Sequence, residues 1–326
     1  MSGAGVSLIM PFRNEAAHLP DVLASLAAQT FPHDRIHLIA ADDGSSDGSG
    51  DVVRAWIAAG DIGGEVYRVD ARSIPRALNA ALAHVPGDRY VVRVDAHTLY
   101  APDYVESIVR AFEEMAPDVW CVGGSPDAVA PPGFGHALHA SLFNNPMGLG
   151  PAAYRRTDRV GPVASVYLGA WRPGVLQRLG GYDERWRANE DAELAARIQA
   201  AGGSVVRIAA RSEKILTRDA AAALRQWSRY GYWRAQTMVR HPASARWRHF
   251  APPAAVLIGA GLATTRARPV LALLYLAYCA LVLRCRPRDE APAVTAASLV
   301  YFPLVQAGFA LGMLAGLARA AARRLF

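Results

Sequence analysis

The sequence predicts an α/β domain with a mostly parallel central sheet, followed by a hydrophobic C-terminal region. Over the first 120 residues, short apolar runs alternate with helical patterns, and the runs begin about thirty residues apart, which is the length of a βαβ unit. After residue 250, three long stretches contain no charged side chain. The chain has 326 residues, 52% of them hydrophobic, so it is long enough for a large domain plus an appendage and too apolar to be disordered.

Four largely apolar runs are predicted to be strands of this sheet: Val6–Met10, Ile36–Ala41, Glu65–Val69 and Tyr90–Asp95. Such runs are expected of parallel strands that are buried on both faces. Between the first two runs, residues 19–26 carry the i, i+3, i+4, i+7 apolar spacing of an amphipathic helix. The region from 121 to 180 is rich in Gly and Pro and lacks periodicity, so we expect an irregular functional loop region there.

Two helices are expected after this loop region. The first begins at Asn189, a residue type favoured at the N-cap, and ends at Gly202. The second runs from Asp219 to His241 and carries four side chains on one stripe: Gln226, Arg229, Tyr230 and Trp233. An amide, a guanidinium and two aromatic groups suit a ligand-facing surface, although aromatic side chains on an amphipathic helix can also serve packing alone.

The net charge of +7 is concentrated near the C-terminus. Residues 251–326 contain eight arginines, one Asp and one Glu, which leaves a charge of +1 for the first 250 residues. The excess charge flanks uncharged apolar stretches. An anionic membrane surface attracts this arrangement, so the composition favours a membrane over nucleic acid as the partner.

Three uncharged stretches make up this C-terminal region: Phe250–Thr265, Pro269–Leu283 and Ala291–Ala318. A membrane-spanning helix needs about 20 apolar residues, so only the third stretch is comfortably long enough. The first two suit interfacial helices, a re-entrant pair, or tilted spans with snorkelling arginines. A buried helical subdomain of a soluble protein is the alternative.

Polar side chains follow the first two predicted strands, at the edge where open α/β sheets bind ligands. Pro11, Arg13 and Glu15 come after the first strand, and Asp42 and Asp43 come after the second. A carboxylate at this edge can accept hydrogen bonds from a nucleobase or a ribose. The same Asp, Gly and Ser composition is also typical of an ordinary turn.

Two further groups carry candidate chemistry. Asp95 and His97 close the fourth strand, and residues i and i+2 of an extended segment point the same way, so both side chains can meet one cation. A divalent cation is useful where a diphosphate must be held. Glu190 and Asp191 open the later helix and offer a carboxylate as general base, although the helix dipole also favours acidic residues there.

Several other enzyme classes lose support because their motifs are missing. The sequence has no Walker motif, no GxGxxG after the first strand, no GxSxG elbow and no HExxH helix. Its three cysteines include no CxxC pair, so they predict neither a disulfide framework nor a zinc site.

Taken in order, these groups resemble the motifs of the inverting glycosyltransferases of family 2, which have a GT-A fold. The resemblance covers residues 6–240. It rests on a P-x-x-N-E-like turn at Pro11–Glu15, D-D-G-S at Asp42–Ser45, D-A-H at Asp95–His97 in place of D-x-D, G-G-Y-D at Gly180–Asp183, E-D at Glu190–Asp191 and Q-x-x-R-Y at Gln226–Tyr230. The D-A-H variant and the R-x-N-E-D-like run at Arg187–Asp191 are similar to the membrane-anchored glucosyltransferases of succinoglycan biosynthesis.

The resemblance implies an inverting hexosyltransferase that uses a UDP-sugar, with UDP-glucose as the expected donor, and a polyprenyl-linked saccharide as acceptor. Asp191, with Glu190 beside it, would be the general base. The nucleotide sugar would be bound by seven residues: Pro11, Arg13, Glu15, Asp42, Asp43, Arg76 and Asp95. Asp95 and His97 would hold Mn²⁺ or Mg²⁺. The diphosphate and acceptor would meet Gln226, Arg229, Tyr230 and Trp233.

The expected organisation is a GT-A-like catalytic domain over 1–218, an amphipathic interface region over 219–250 and membrane helices over 251–326. We expect the inner membrane as the location, with the catalytic domain in the cytoplasm, other glycan-assembly enzymes as partners and no nucleic acid. Two alternatives stay open. One is a polyprenyl-phosphate glycosyltransferase, and the other is a non-catalytic membrane scaffold that binds sugar nucleotides, for which His97 in place of Asp is the best support.

Overall fold

The computed structural model describes residues 5–149 and 160–322, which form two compact units. The described residues of Met1–Asp127 and Ala153–Ile215 form the first unit. The second unit is formed by the described residues of Ala128–Ala152 and Leu216–Phe326. The first unit therefore contains the predicted strand-end groups and the Glu190–Asp191 pair, whereas the second contains the Q-x-x-R-Y helix and the apolar C-terminal stretches.

One sheet organises the first unit. The strands of its described part are β1 (Val6–Phe12), β2 (Ile36–Asp42), β3 (Gly63–Arg68), β4 (Tyr90–Arg93), β5 (Thr98–Tyr100), β6 (Val119–Val129), β7 (Gly161–Pro162), β8 (Tyr167–Trp171) and β9 (Ser204–Ile215). Their order is β3-β2-β1-β4-β8-β6-β9-β5, and β7 pairs with β9. The sheet is parallel from β3 to β4, and antiparallel pairing begins where β4 meets β8.

The parallel half confirms the four predicted strands. In the register of β1 with β2, Val6 lies opposite Ile36 and Phe12 lies opposite Asp42, so both strands end at the same edge. Alternate residues of β1 enter two different cores: Leu8 packs on one face of the sheet and Ile9 on the other. The strand β3 departs from the expected burial, because it is the edge strand and none of its residues is fully buried.

Helices cover the faces of this sheet. They are α1 (Leu19–Ala27), α2 (Ser49–Ala59), α3 (Ile74–Leu82), α4 (Tyr104–Glu114), α7 (Val175–Arg178) and α8 (Glu190–Ala200), together with a short 3-10 turn at His33–Arg35. The predicted apolar stripe of α1 is buried against one core. The helix α8 begins directly after Asn189, as expected. Asn189 occupies the N-cap position in the left-handed region at φ 59°, and its side chain makes no capping hydrogen bond.

The expectation of an irregular region over 121–180 was wrong. The described part of this region contains most of β6 and all of β8, which pair antiparallel. Glycine is needed inside β6 because the neighbouring backbone comes close: a Cβ on Gly124 would meet the carbonyl oxygen of Ala210. The glycines that obscured the strand in the sequence therefore mark a close approach between strands.

The second unit consists largely of helices. They are α5 (Phe134–Asn144), α6 (Pro146–Leu149), α9 (Ala220–Arg240), α10 (Trp247–Ala263), α11 (Arg268–Arg284) and α12 (Pro292–Ala322), with a 3-10 turn at Pro242–Ser244. The helix predicted from Asp219 to His241 is confirmed as α9. The Asp219 carboxylate caps it by accepting a hydrogen bond from the Ala222 backbone N–H at 2.8 Å.

The long helix α12 packs on α9 and α5. Towards its C-terminus it packs directly on the backbone of α9, because a Cβ on Gly312 would meet the carbonyl oxygen of Ser228 and one on Gly231 would meet that of Phe309. Towards its N-terminus it packs on α5, where Ser141 and Ser298 share a hydrogen bond at 3.0 Å. Among the described residues, α12 is also the one helix that is long and apolar enough to cross a membrane.

Candidate active site

The turn after β1 is bound to the loop after β2 through side chain to backbone hydrogen bonds. Asn14, in the left-handed region at φ 54°, donates its N–H to Ser45 Oγ at 3.0 Å and accepts from the Ser46 N–H at 2.9 Å. The Glu15 N–H donates to Ser49 Oγ at 2.8 Å. The sequence placed the P-x-x-N-E and D-D-G-S groups at neighbouring strand ends, and the structure joins them into one substructure.

The two carboxylates after β2 organise the loops around them. Asp42 accepts a hydrogen bond from the Ser45 N–H at 2.8 Å. Asp43 accepts from three consecutive backbone N–H groups at 2.6–2.7 Å, those of Ala71, Arg72 and Ser73. Asp43 therefore shapes the segment that leads into α3. Its predicted contact with the nucleobase stays a prediction.

A buried arginine at the end of β4 joins three carboxylates. Arg93 Nε donates to Asp95 Oδ1 at 3.0 Å, and Nη1 donates to Glu190 Oε1 at 3.1 Å and to Asp191 Oδ1 at 2.7 Å. Only 6% of the Arg93 side chain is exposed. The structure thus brings together two groups that lie almost 100 positions apart in the sequence, the proposed donor-side Asp95 and the Glu190–Asp191 pair.

Sequence reasoning missed Arg93. It lies inside a run that was interpreted as apolar, where a single charge looks like an interruption. One signal was available: Arg93 precedes Asp95 by two residues, so in extended backbone the two side chains point the same way. A charged side chain in a buried strand is expected to have a partner of opposite charge, and Arg93 points towards a predicted site that contains carboxylates.

The electrostatics of this cluster differ from one carboxylate to the next. Burial works against the charge of Arg93, but Asp191, Asp95 and Glu190 outweigh it and raise its pKa well above the usual range. Burial also works against the charge of Asp95, but the positive charges of Arg93 and His97 outweigh burial and lower the pKa of this carboxyl. For Asp191 burial prevails over Arg93, and with Glu190 and Asp95 nearby the pKa rises to about 7.

Asp191 has an apolar wall on one side and solvent on the other. It lines a small cavity together with Cys121, Trp171 and Leu194, among other residues. Its side chain remains 32% exposed, in contrast to 10% for Glu190. A carboxylate that is partly desolvated, held in place by a guanidinium and still reachable has the properties expected of a general base near neutral pH.

The D-A-H segment also reaches the turn after β1. His97 Nδ1 lies 3.4 Å from Glu15 Oε1, and about a fifth of each side chain is exposed, 21% and 19%. No cluster of three or more His, Cys, Asp or Glu side chains that could hold a metal ion exists in the described part of the chain. The expected extended backbone from Asp95 to His97 is not found, because β4 ends at Arg93 and His97 lies in a turn before β5. That Asp95 and His97 hold a cation together with substrate phosphates and water stays a prediction.

The remaining predicted donor residues lie at the surface of the first unit. Pro11 is part of β1 and pairs in register with Ala41, and Arg13 follows it as an exposed residue. Arg76 lies on α3, where its Nε is 3.3 Å from Glu184 Oε2 and its side chain is 56% exposed. The geometry assigns Arg76 an ion pair, and its role in donor binding stays a prediction.

The Q-x-x-R-Y side chains lie on α9 of the second unit. Gln226 Nε2 donates to Tyr230 Oη at 2.7 Å, and Tyr230 packs edge-on against Trp227. Trp233 packs edge-on against Tyr232. The hydrogen bond shows that Gln226 and Tyr230 share one surface of the helix. That Gln226, Arg229, Tyr230 and Trp233 line the active site stays a prediction.

The fold and motifs of the first unit agree with comparisons with protein families. Residues 7–172 match the family described as glycosyl transferase family 2, and residues 90–310 match glycosyl transferase family group 2. The chain belongs to glycosyltransferase family 2.

Three related proteins are consistent with this assignment. The succinoglycan biosynthesis protein ExoA of Rhizobium meliloti is 30% identical over 78% of this chain and 76% of its own length. The validoxylamine A glucosyltransferase of Streptomyces hygroscopicus subsp. jinggangensis is 28% identical over 60% of this chain and 52% of its own length. An undecaprenyl-phosphate 4-deoxy-4-formamido-L-arabinose transferase of Shewanella sediminis is 32% identical over 33% of each chain.

Solved structures show the same fold. The mannosyltransferase PcManGT from Pyrobaculum calidifontis, in complex with GDP-Man and Mn²⁺, has a TM-score of 0.64 at 19% identity, covering 96% of this chain and 86% of that one. Residues 1–349 of S. aureus TarS, in complex with UDP, have a TM-score of 0.54 at 13% identity, covering 98% and 91%. The fold is GT-A-like, as the resemblance implied.

Proposed function

We propose that the chain transfers a hexose, with inversion, from a UDP-sugar to a lipid-linked oligosaccharide during the synthesis of an exopolysaccharide or envelope glycan. The observation that carries this proposal is Asp191, a partly desolvated carboxylate held by Arg93 beside Asp95. The similarity to a succinoglycan biosynthesis protein supports the glycan, and UDP-glucose is the donor we expect.

In the proposed reaction, Asp191 takes the proton of an acceptor hydroxyl as that oxygen attacks the anomeric carbon of the donor. A pKa of about 7 suits this role, because about half of the groups are ionised at pH 7 and the carboxylate is basic enough to accept a proton. The hydrogen bond from Arg93 fixes the orientation of the Asp191 carboxylate, and Glu190 accepts a second hydrogen bond from the same Arg93 nitrogen. The displaced group is the nucleoside diphosphate, so a single displacement inverts the anomeric centre.

The donor would bind at the edge formed by the turn after β1 and the loop after β2. Asp95 and His97 would hold a divalent cation there, either Mn²⁺ or Mg²⁺. When bound, such a cation neutralises charge on the diphosphate. Glu15 would support the His97 imidazole from the neighbouring turn, since Glu15 Oε1 lies 3.4 Å from His97 Nδ1. Asp43 keeps the Ala71–Ser73 segment in the conformation that bounds this edge.

The acceptor side is proposed to involve α9. Arg229 would add positive charge at the leaving diphosphate, and the rings of Tyr230 and Trp233 would contact sugar, whose axial C–H surfaces are apolar. A lipid-linked acceptor is confined to a membrane, so the apolar helices of the second unit would hold the enzyme there. We propose the inner membrane, with catalysis in the cytoplasm and other glycan-assembly enzymes as neighbours.

A second candidate function is transfer of the sugar to a bare polyprenyl phosphate. The partial similarity to the undecaprenyl-phosphate sugar transferase supports it. A phosphate acceptor is already ionised and hardly needs a general base. Replacing Asp191 by Asn would then leave turnover nearly unchanged, whereas the primary proposal expects a large loss.

Release of UDP by the purified protein tests the proposed function. The protein is incubated with a panel of nucleotide sugars and with two kinds of acceptor, polyprenyl-diphosphate-linked saccharides and polyprenyl phosphate. We expect release with a UDP-hexose and a lipid-linked saccharide. Release with polyprenyl phosphate alone would favour the second candidate, and retained nucleotide binding without release on any acceptor would favour a non-catalytic scaffold.

A further inference from the structure

The second unit exposes more apolar surface than water favours. Of 18 large hydrophobic residues that are exposed among the described residues, 11 lie on the two consecutive helices α10 and α11. On α11 the exposed residues occur on every side of the helix, and Leu273, Leu274 and Leu276 are each more than half exposed. Protein covers only one side of α11, where Val282 and Tyr278 join the core formed with α5 and α12. The remaining apolar surface of this helix needs another apolar environment.

The environment that fits is the interior of a lipid bilayer. The uncharged parts of α10 and α11 are 14 and 15 residues long, or about 21–23 Å, and arginine side chains can extend that reach towards a hydrocarbon core of about 30 Å. Arginines stand at the ends of both helices: Arg246, Arg248, Arg266, Arg268, Arg284, Arg286 and Arg288. Between Ala220 and Arg288 the chain has no acidic residue and eleven arginines, which suits anionic headgroups.

The helix α12 is less suited to cross a bilayer, although it is the longest apolar helix. The contacts of Gly312 with Ser228 and of Gly316 with Tyr232 leave no room for lipid between α12 and α9. The helix α9 carries charged side chains, with Arg225, Arg229 and Arg234 along it. A spanning α12 would draw α9 and these charges into the hydrocarbon, which is costly for each charge.

We infer that the hairpin formed by α10 and α11 is the membrane-spanning element of this protein, and that α12 is the core helix of the second unit. The turn between them, residues 264–267, then lies on the far side of the membrane. The arginine count supports this orientation, because two arginines lie at the turn and five lie at the other ends of the helices. Arginine-rich ends favour the cytoplasmic side of a membrane. Exposed Trp247 lies at that base, as interfacial tryptophans do.

This inference rests on the membrane location given under the proposed function, and a matched pair of variants tests both. Leu273 on α11 and Leu311 near the middle of α12 have similar exposure, 66% and 59%. Each is replaced by Arg in the full chain, and the proteins are expressed in a bacterial host. The inner membranes are washed with high salt and then with alkaline carbonate, and circular dichroism in detergent confirms that both variants fold.

We expect wild type and Leu311→Arg to stay in the membrane pellet, and Leu273→Arg to shift towards the soluble fraction by on the order of 100-fold. Release of Leu311→Arg, alone or together with Leu273→Arg, would overturn the inference, as would retention of both variants. A wild-type protein that is soluble without detergent would instead refute the membrane location itself, and the hairpin with it.

Cysteine labelling tests the orientation independently. In a full chain whose three native cysteines are replaced by alanine, Thr265→Cys marks the turn and Ala243→Cys marks the base. With a membrane-impermeant maleimide on intact spheroplasts, we expect labelling of Thr265→Cys before lysis and of Ala243→Cys only after lysis. Labelling of Thr265→Cys only after lysis would show that the turn does not reach the far side of the membrane, and would contradict the inference.

Discussion

The two units of this protein depart from ordinary burial in opposite directions. The first unit buries charge: Arg93 and three carboxylates meet where only 6% of the arginine side chain is exposed. The second unit exposes apolar side chains, with Leu273 two thirds accessible on a helix that lacks a polar face. Both arrangements cost free energy in water, so each is expected to be matched by a ligand or an environment absent from the isolated chain. In one case we propose a nucleotide sugar with its cation, and in the other a bilayer.

The largest expected effect concerns the buried charge. Replacing Arg93 by Leu leaves Asp95, Glu190 and Asp191 without their common partner, and breaking a buried ion pair typically costs about 3–5 kcal/mol. We expect a loss of that size in the free energy of unfolding, measured with urea in detergent. The matched control is Arg54→Leu, which removes a surface pair with Asp51 and is expected to cost about 0–1 kcal/mol. Equal losses in the two variants would mean that the cluster is not energetically coupled.

A smaller effect is expected where α12 packs on α9. Replacing Gly312 by Ala forces a methyl group against the Ser228 carbonyl oxygen, and overpacking of this kind costs about 1–3 kcal/mol. We expect a lower thermal unfolding temperature in detergent. Gly261→Ala on α10 is the control, since nothing lies within 4 Å of its Cβ position and Ala favours a helix. If Gly312→Ala leaves the thermal unfolding temperature unchanged, the claim that α12 is a core helix is contradicted.

The pH dependence of activity tests the environment of Asp191. Burial raises its pKa to about 7, and only the deprotonated carboxylate can accept the acceptor proton. The value of kcat/KM should therefore fall about tenfold per pH unit below pH 7 and level off above it. A plateau that extends down to pH 5 would contradict a base with a raised pKa.

The smallest expected effect concerns the choice of cation. An imidazole suits transition metals better than Mg²⁺, so direct ligation by His97 predicts that Mn²⁺ binds better than Mg²⁺. His97→Asp should narrow that difference in a titration of the protein with each metal and UDP. If wild type and His97→Asp show the same metal preference, His97 does not ligate the cation and instead acts through Glu15 or the diphosphate.

The sequence was informative wherever function depends on strand ends and helix starts. Parallel strands end at a common edge, so Glu15, Asp42 and Asp95 could be placed there before the structure was known. For Arg93 the sequence offered only its spacing from Asp95, because its other two partners, Glu190 and Asp191, lie almost 100 residues away. The strand β6 was missed because its glycines are required by the close approach of a neighbouring strand. The local sequence pattern does not reveal that approach.

The membrane region shows the same limit. Hydropathy and length single out α12, since its apolar stretch is the longest. Which apolar helix meets lipid depends instead on how much of its surface is covered by protein. The glycines of α12 permit α9 to pack directly on it, whereas most of the surface of α10 and α11 stays exposed. The sequence therefore predicted apolar helices correctly, and their packing partners distinguish the core helix from the candidate spans.

The central claim is that Asp191 is the general base, and replacing it by Asn tests this most directly. Asn keeps the shape of the side chain but cannot accept the proton, and a positioned base contributes on the order of 10²–10⁴-fold. With a lipid-linked saccharide as acceptor, we predict a loss of that size in the rate of UDP release, while UDP-sugar affinity measured by calorimetry stays within a few fold. Asp61→Asn, the same change at an exposed position, should leave both quantities unchanged. Turnover by Asp191→Asn at the wild-type rate would contradict the account.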